Sequence, residues 1–318
     1  MPNSVAAVVV TFNRSRLLLE CLASLLGQTQ RLAKIIVIDN ASSDGTQQAL
    51  ASHGYLAHPD IDYVRLPHNT GGAGGFHEGV KRGYEGGFDW LWLMDDDAEP
   101  RADALAEMQK LFDTPRIAGV ANLTVGIHGK PDLEHRGWIK LRGLTQRAHD
   151  PIDASALPDT MEISYASFVG LAVPRTAVQK IGFPKREFFI HCDDVEYCLR
   201  LSTLGPLLLA RRSVILHKDA SNAAAPKTVV LGRASARIPI QKLWLSYYGF
   251  RNLIWLRRRY CGPRAAALFA LRQFLRNAVG VFLYDSYRLV RLTFYFHAIV
   301  DGWRGIFDND KPKRLTQV

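Results

Sequence analysis

The chain has 318 residues, of which 47% are hydrophobic and 22% are charged. These are the values of a globular protein with enough chain to bury a core, so they exclude collagen, a disulfide-stapled miniprotein and wholesale disorder. The net charge of +10 is unevenly distributed, because residues 227–318 carry +13 and residues 1–226 carry −3. This asymmetry predicts that the C-terminal region contacts an anionic surface or partner.

Short apolar runs alternate with segments of helical periodicity over the first hundred residues. The pattern predicts strands at 5–11, 35–39, 62–66 and 90–94, and helices at 16–26, 46–51 and 79–86. Apolar strands that alternate with helices indicate a parallel sheet covered on both faces. Ligands of such sheets bind at the carboxyl ends of the strands, where Thr11, Asp39 and Asp95 fall.

The regular pattern is interrupted and then resumes. Residues 122–160 are rich in Gly, Pro, His and charged residues, and we interpret them as an excursion from the sheet that lies over the site. After this stretch the pattern predicts a strand at 166–173 interrupted by Gly170, a helix at 193–204 and a strand at 214–217. A composition break at 221–226 divides the chain into a domain of residues 1–220 and a basic, aromatic-rich region of residues 221–318. That region is predicted to form helices at 240–260, 264–281 and 287–302.

Three adjacent carboxylates, Asp95 to Asp97, follow the predicted strand at 90–94. Adjacent carboxylates repel one another unless a cation or a hydrogen-bonding shell neutralises them. Alternate residues of an extended segment face the same side, so Asp95 and Asp97 could together offer oxygen ligands to Mg²⁺ or Mn²⁺. The alternative is a solvated acidic loop, although the position at a strand end favours the metal.

A glycine-rich segment, residues 69–75, precedes the predicted helix at 79–86. Backbone N–H groups in such a loop can receive phosphate, although the segment matches neither the P-loop nor the dinucleotide fingerprint. Alone it is also compatible with a flexible turn. A phosphate cradle and a cation site in one sheet together indicate a pocket for a nucleotide diphosphate.

Asp193 and Asp194 open the predicted helix at 193–204, and His217 ends the next strand. A carboxylate pair at a helix start is suitably placed to supply a general base, although it is equally compatible with helix capping. A neutral imidazole is a common metal ligand, but a lone His is more often structural.

Five motifs in this order resemble the enzymes of glycosyltransferase family 2, which have the GT-A fold. The motifs are Val9-Val-Thr-Phe-Asn-Arg14, Val37-Ile-Asp-Asn-Ala-Ser-Ser-Asp-Gly-Thr46, Asn69-Thr-Gly-Gly-Ala-Gly-Gly-Phe76, Met94-Asp-Asp-Asp-Ala98 and Cys192-Asp-Asp-Val-Glu-Tyr-Cys-Leu-Arg200. The resemblance covers roughly residues 5–219. It implies an α/β fold of the GT-A type, with a Rossmann-like, mostly parallel sheet flanked by helices and a C-terminal helical extension.

Site residues follow from the same resemblance. It implies nucleotide-sugar contacts at Thr11, Phe12, Asn13, Arg14, Asp39, Asn40, Asn69, Gly71, Gly72, Gly74, Gly75 and Asp96. It implies that Asp95, Asp97 and His217 hold Mn²⁺ or Mg²⁺, and that the catalytic pair is Asp193 and Asp194, with Asp194 as the base. Residues 122–160 would lie on the acceptor side.

The acidic triplet, the later Asp-Asp pair and the His most resemble bacterial galactofuranosyltransferases. The resemblance therefore implies an inverting, metal-dependent enzyme that transfers a sugar from UDP-galactofuranose to a hydroxyl of a growing, lipid-linked cell-surface glycan. A dTDP-rhamnose-dependent rhamnosyltransferase is the alternative, because rhamnosyltransferases share the opening motifs and a tail like residues 247–252 and 301–305.

Two other classes fit less well. A nucleic-acid binder would explain the basic tail, but it has no use for aspartates at strand ends. A nucleotidyl transferase would need a basic group on the α-phosphate, and the first strand-turn element offers only Arg14. We therefore expect no nucleic-acid partner.

The tail and the cysteines predict a location. Four cysteines without C-x-x-C spacing and an N-terminus without a signal-peptide profile predict the cytoplasm. Arginines interrupt every apolar run in the tail before it reaches the ~20 residues that span a bilayer. We expect the tail to lie on the cytoplasmic face of an anionic inner membrane without crossing it, or to pair protomers in a homo-oligomer.

Overall fold

The protein is described by a computed structural model that covers residues 3–153, 157–218, 227–230, 233–236 and 238–317. It forms two compact units. The first consists of Met1–Ile139, His149–Arg186 and Asp193–Ala220. The second consists of Lys140–Ala148, Glu187–Cys192 and Ser221–Val318.

The first unit is an α/β domain. Its strands are β1 (Val5–Thr11), β2 (Lys34–Asp39), β3 (Ile61–Arg65), β4 (Trp90–Asp95), β5 (Ala98–Pro100), β6 (Gly119–Val125), β7 (Arg136–Ile139), β8 (His149–Pro151), β9 (Thr160–Ile163), β10 (Tyr165–Ala166), β11 (Leu171–Pro174) and β12 (Leu207–His217). Its helices are α1 (Ser15–Leu26), α2 (Thr46–Ser52), α3 (Gly71–Glu85), α4 (Ala104–Gln109), α5 (Arg175–Ile181) and α6 (Asp193–Leu201). The four strands and the first two helices predicted for the first hundred residues are confirmed with small shifts at their ends, whereas the third helix begins at Gly71 and not at residue 79.

The main sheet has the strand order β3-β2-β1-β4-β11-β6-β12-β5, and β9 also pairs with β12. Strands β1 to β4 are parallel as predicted, whereas β11 runs antiparallel to both of its neighbours. Thr11 lies opposite Asp39, and Val10 lies opposite Asp95. The carboxyl ends of β1, β2 and β4 therefore meet at one edge of the sheet, which is where the candidate site residues were expected.

The glycine-rich segment 69–75 is not a loop, because helix α3 already begins at Gly71. Glycines at one-turn spacing along α3 face the sheet. A Cβ atom on Gly79 would lie 2.3 Å from Cγ1 of Val8, and one on Gly83 would lie 2.4 Å from Cδ2 of Leu91. The close approach of helix and sheet excludes side chains here, so the glycines serve packing despite their low helix propensity.

The strand predicted at 166–173 is two strands in two sheets. β10 belongs to a three-stranded sheet of order β10-β7-β8, and β11 belongs to the main sheet. Gly170, between them, has φ of +87°, and a Cβ there would lie 2.4 Å from the Ile215 side chain. A left-handed glycine thus lets the chain pass from one sheet to the other.

The excursion at 122–160 contains strands β7 and β8 of the small sheet, and Arg136 attaches it to the main sheet. The Arg136 guanidinium is fully buried and donates hydrogen bonds to the carbonyl oxygens of Asn122, His135 and Val169. Burial lowers the pKa of Arg136 to about 10, so it remains charged at neutral pH. One side chain therefore joins strand β6, the excursion and the segment that enters β11.

The second unit is largely helical. Its helices are α7 (Leu243–Cys261), α8 (Pro263–Tyr284), α9 (Arg288–Arg304) and α10 (Lys311–Leu315), and its strands are β13 (Lys227–Val230) and β14 (Arg233–Ala236). Helices α7, α8 and α9 contact one another. The three helices predicted for this region are confirmed.

Helix α8 exposes an apolar stripe, which consists of Leu268, Leu271, Leu275, Val279 and Phe282. Each of these side chains is more than half exposed, and the spacing of three or four residues places them on one face. By length and composition α8 could cross a membrane, with 28% of its most apolar window buried. Arg264, Arg272 and Arg276 interrupt this helix as expected, and the expectation that the tail does not cross a membrane stays a prediction.

Candidate active site

Asp96 is tied to strand β1 at the edge where β1 and β4 end. Thr11 Oγ1 donates a hydrogen bond of 2.6 Å to Asp96 Oδ2. Arg14 Nη1 lies 3.3 Å from Asp96 Oδ1 and 2.9 Å from Asp97 Oδ2. Burial raises the pKa of Asp96 to about 6, although the hydrogen bond from Thr11 and the charge of Arg14 oppose this shift. The first strand-turn element thus holds Asp96 through Thr11 and Arg14, and it holds Asp97 through Arg14.

Asp97 lies beside His217, as a shared metal site would require. Asp97 Oδ1 is 3.4 Å from His217 Nε2, and both side chains are buried. The pairing of β5 with β12 causes this contact, because His217 lies opposite Ala98 in the register. Burial, together with the negative charges of Asp97 and Asp96, raises the pKa of Asp95 well above its usual range. A buried group of carboxylates beside an imidazole fits a divalent cation, which would remove this repulsion.

The structure adds two residues to this cluster that the sequence did not predict. Ligand atoms of Asp132, His135 and His217 all lie within 4.8 Å of one another. The rings of His135 and His217 meet edge to face with centroids 4.6 Å apart. Asp132 and His135 lie in the excursion, and their spacing of three residues around one 3₁₀ turn was the only sequence signal that could have indicated them.

A short segment at β10 connects the cluster with the carboxylate pair. Tyr165 donates a hydrogen bond of 2.8 Å from its hydroxyl to Asp194 Oδ2. Two residues later, Ser167 Oγ lies 3.0 Å from His135 Nδ1. The contacts therefore run from Asp194 through this segment to His135, His217 and Asp97, within one unit.

Asp193 and Asp194 have different environments at the start of α6. Asp193 is buried, and burial followed by the charge of Asp194 raises the pKa of Asp193 to about 8. Asp194 is partly exposed and accepts hydrogen bonds from the Tyr165 hydroxyl and the Val195 amide. Each carboxylate oxygen has two lone pairs, so Asp194 can still accept a proton from a hydroxyl group. The geometry suits Asp194 for proton transfer and leaves Asp193 in the interior.

The residues predicted to contact base and ribose are held in a polar network, which is buried at Asp39 and exposed at Asn13. Asp39 accepts hydrogen bonds from the Ser42 amide and, at 2.5 Å, from the Tyr63 hydroxyl. Burial and this bond to Asp39 raise the pKa of Tyr63. Asn13 has a left-handed backbone with φ of 54°, and its side-chain oxygen accepts a bond of 2.7 Å from the Ser43 amide. The turn after β1 is thereby fixed against the turn after β2.

The remaining predicted donor contacts line the start of α3. The Asn40 side chain accepts hydrogen bonds from Thr70 and donates one to the Gly71 carbonyl, while Asn69 Oδ1 accepts a bond of 2.7 Å from the Gly71 amide. Gly72 has no neighbouring atom within 4 Å of a Cβ position, whereas Gly74 and Gly75 lie against Thr70 and Val10. Phe12 is 42% exposed. The open position is therefore Gly72, and the closely packed ones are Gly74 and Gly75.

Comparison of sequences identifies relatives. Residues 6–178 match the family described as "Glycosyl transferase family 2". Over 243 residues the chain is 30% identical to galactofuranosyltransferase GlfT1 of Mycobacterium tuberculosis, which covers 75% of this chain and 77% of that protein. It is 26% identical over 253 residues to galactofuranosyltransferase GlfT1 of Mycolicibacterium smegmatis, covering 78% of this chain and 81% of that protein.

Comparison of structures indicates the same fold at low sequence identity. Mannosyltransferase PcManGT of Pyrobaculum calidifontis, in complex with GDP-Man and Mn²⁺, aligns with a TM-score of 0.54 and 15% identity over 96% of this chain and 90% of its own. S. aureus TarS 1-349 aligns with a TM-score of 0.55 and 13% identity over 98% of this chain and 90% of its own. The fold is therefore GT-A, as the sequence motifs implied.

Proposed function

Because the chain belongs to glycosyltransferase family 2, we propose that it is an inverting, metal-dependent enzyme that takes galactofuranose from UDP-galactofuranose. The acceptor in this proposal is a hydroxyl of a growing, lipid-linked cell-surface glycan. The observation that carries it is the contact path from Asp194 through Tyr165 and Ser167 to the cluster at His217. A base beside a cation-type cluster is the arrangement that a single displacement at a sugar diphosphate requires.

The proposed reaction is a single displacement in which Asp194 accepts the proton of the acceptor hydroxyl. The acceptor oxygen forms a bond to the anomeric carbon, the bond from that carbon to the diphosphate oxygen breaks, and the diphosphate leaves with the electron pair. The proton of the acceptor hydroxyl passes to Asp194. Tyr165 holds one oxygen of this carboxylate by its hydrogen bond and so fixes the direction in which it accepts the proton.

Asp95, Asp97 and His217 are the residues proposed to hold the cation. When bound, Mn²⁺ or Mg²⁺ would supply positive charge to the departing diphosphate. The side chains of Asp97 and His217 adjoin each other, and the buried carboxylates repel one another without a cation. The complex of PcManGT with GDP-Man contains Mn²⁺, which supports the proposal that this chain also uses a divalent cation.

A transfer assay over a panel of UDP- and dTDP-sugars tests donor and metal together. We expect turnover with UDP-galactofuranose, its loss in excess EDTA and its recovery with Mn²⁺ or Mg²⁺. The variant Asp97→Ala should stay inactive at saturating metal. Higher turnover with dTDP-rhamnose would instead establish the rhamnosyltransferase alternative, and full activity in EDTA would contradict the metal assignment.

The proposed location is the cytoplasmic face of the inner membrane, where a lipid-linked acceptor is found. The apolar stripe of α8 and the exposed Arg264, Arg272 and Arg276 on the same helix support it. Helices that combine apolar and basic faces bind at the interface of anionic bilayers.

A further inference from the structure

The second unit contains a cavity of about 490 Å³ between helices α7, α8 and α9. Ser246 and Leu253 line it from α7, Arg276 and Asn277 from α8, and Arg291 from α9. Its wall also includes His191, in a segment of this unit that precedes the helices in sequence. The volume lies within the range of about 300–1,000 Å³ that small-molecule sites occupy.

The charged groups that line this cavity are cationic. Arg276 has no carboxylate within ion-pair distance among the described residues. Arg291 donates hydrogen bonds to the carbonyl oxygens of Ser286 and Ile238, which fix its guanidinium, and lies 3.7 Å from Asp285. Among the described residues that line the cavity there is no Asp or Glu. Asp285 compensates at most one of the two arginines.

A third arginine increases the positive potential. Arg257 lies one turn beyond Leu253 along α7, and its side chain is 1% exposed. Its Nη2 donates to the Thr145 carbonyl, and its guanidinium stacks 3.6 Å from the Phe269 ring centroid. In the described part of the chain no acceptor reaches Nε or Nη1, and no carboxylate pairs with it. A buried, uncompensated cation beside a cavity favours an anionic occupant.

One wall of the cavity is held in a strained conformation. Phe189, His191 and Cys192 all have positive φ, between 63° and 69°. Asn252 Nδ2 maintains this backbone by donating to the carbonyl oxygens of Phe188, Ile190 and His191 at 2.9–3.1 Å. Such conformations are energetically costly for residues other than glycine and concentrate at functional sites. The strain places the His191 side chain at the cavity wall, and its ring lies against Gly249.

We propose that this cavity binds the phosphate or diphosphate group of a ligand other than the nucleotide-sugar donor. Two arginines, an imidazole and the side-chain amide of Asn277 supply the donors that phosphate oxygens require. The ligand is either a phosphate-bearing lipid headgroup or a soluble phosphate ester. The site belongs to the second unit alone, so it does not depend on the donor assignment.

Titration calorimetry of the full-length protein with inorganic pyrophosphate in EDTA tests the site, because EDTA removes metal-assisted binding of diphosphate. We expect Arg276→Gln to weaken binding at least tenfold and Arg276→Lys to restore part of it. Arg272→Gln, on the same helix but outside the cavity, should stay within twofold of the wild type. Arg276 is exposed, so its replacement should leave the melting temperature unchanged.

The proposal is overturned if pyrophosphate does not bind, if Arg276→Gln keeps the wild-type affinity, or if Arg272→Gln loses as much affinity as Arg276→Gln. A second arm identifies the source of the phosphate. If phosphatidylcholine vesicles with phosphatidic acid displace pyrophosphate while pure phosphatidylcholine vesicles do not, the site takes a lipid headgroup. If neither displaces it, the site takes a soluble phosphate ester.

Discussion

Asp194 and Asp193 are consecutive in sequence but differ in access to solvent, and this difference is the basis of the roles proposed for them. The partly exposed Asp194 is the proposed base. Base catalysis contributes about 10²–10⁴-fold, so Asp194→Asn should lower kcat by this factor, which is about 3–5 kcal/mol of barrier. Donor affinity, measured by calorimetry with UDP and Mn²⁺, should change less than threefold because the substitution preserves the shape of the side chain. If Asp193→Asn were the inactive variant and Asp194→Asn were fully active, the two roles would have to be exchanged.

The buried Asp193 predicts a pH dependence of stability. Its pKa is raised to about 8 in the folded state by burial and by Asp194, against about 3.9 in an unfolded chain. The stability linked to its proton is therefore complete below pH 4 and is lost as the pH rises towards 8. Asp193→Asn lacks this ionisation. In thermal melts between pH 4 and 9, the melting temperature of the variant should therefore rise relative to that of the wild type as the pH increases. One pKa unit corresponds to about 1.4 kcal/mol. We expect the free energy of unfolding of the variant, relative to the wild type, to rise by at least that amount over this pH range.

A melting difference that stays constant over this pH range would show that Asp193 ionises normally in the folded protein. Asp194→Asn removes the neighbouring negative charge that helps to raise the pKa of Asp193, so this variant should weaken the pH dependence without abolishing it.

At the level of elements, the packing of α3 on the sheet yields a matched pair of variants. A methyl group on Gly79 would overlap Val8, whereas one on Gly72, in the same helix, meets no atom within 4 Å. Gly79→Ala should therefore lower the free energy of unfolding by about 1–3 kcal/mol, the usual cost of overpacking. Gly72→Ala should leave it unchanged or raise it slightly. Denaturant unfolding of both variants measures the difference, and equal effects would mean that the helix moves freely on the sheet.

The elements of the first unit show what local sequence can and cannot predict. The strands were predictable because buried parallel strands are unbroken apolar runs such as 5–11, and their ends located Asp39 and Asp95. The start of α3 was not predictable, because a run of glycines has low helix propensity and the contact that selects them lies in another strand. Asp132, His135 and Tyr165 were missed for a related reason: only the small sheet and the excursion bring them to His217 and Asp194.

At the scale of the whole molecule, the basic second unit predicts membrane binding that depends on salt. The chain should float with anionic vesicles at low salt and be released at high salt, since each engaged Lys or Arg contributes about 1 kcal/mol near such a surface. The double variant Leu271→Gln/Leu275→Gln removes two side chains of the α8 stripe and should reduce flotation at least tenfold. The matched control Leu56→Gln/Ile127→Gln removes two exposed apolar groups of the first unit and should float like the wild type.

Equal flotation of both double variants, or indifference to lipid charge, would contradict the membrane proposal. If the stripe pairs protomers instead, the wild type should sediment as a dimer and the variant Leu271→Gln/Leu275→Gln as a monomer.

The Arg136 junction also bears on the order in which the first unit assembles. Its guanidinium joins carbonyls 14 and 33 residues away, so its hydrogen bonds cannot form until β6 and the segment before β11 are in place. The short strands β7 and β8 should thus be among the last to fold and the first to open. Deuterium uptake should be faster at their amides than in β1, and Arg136→Lys should accelerate it there while leaving the refolding rate of the main sheet unchanged. Asp132 and His135 would then be the last residues to reach His217, and local opening of this small sheet would set how often the three side chains are together.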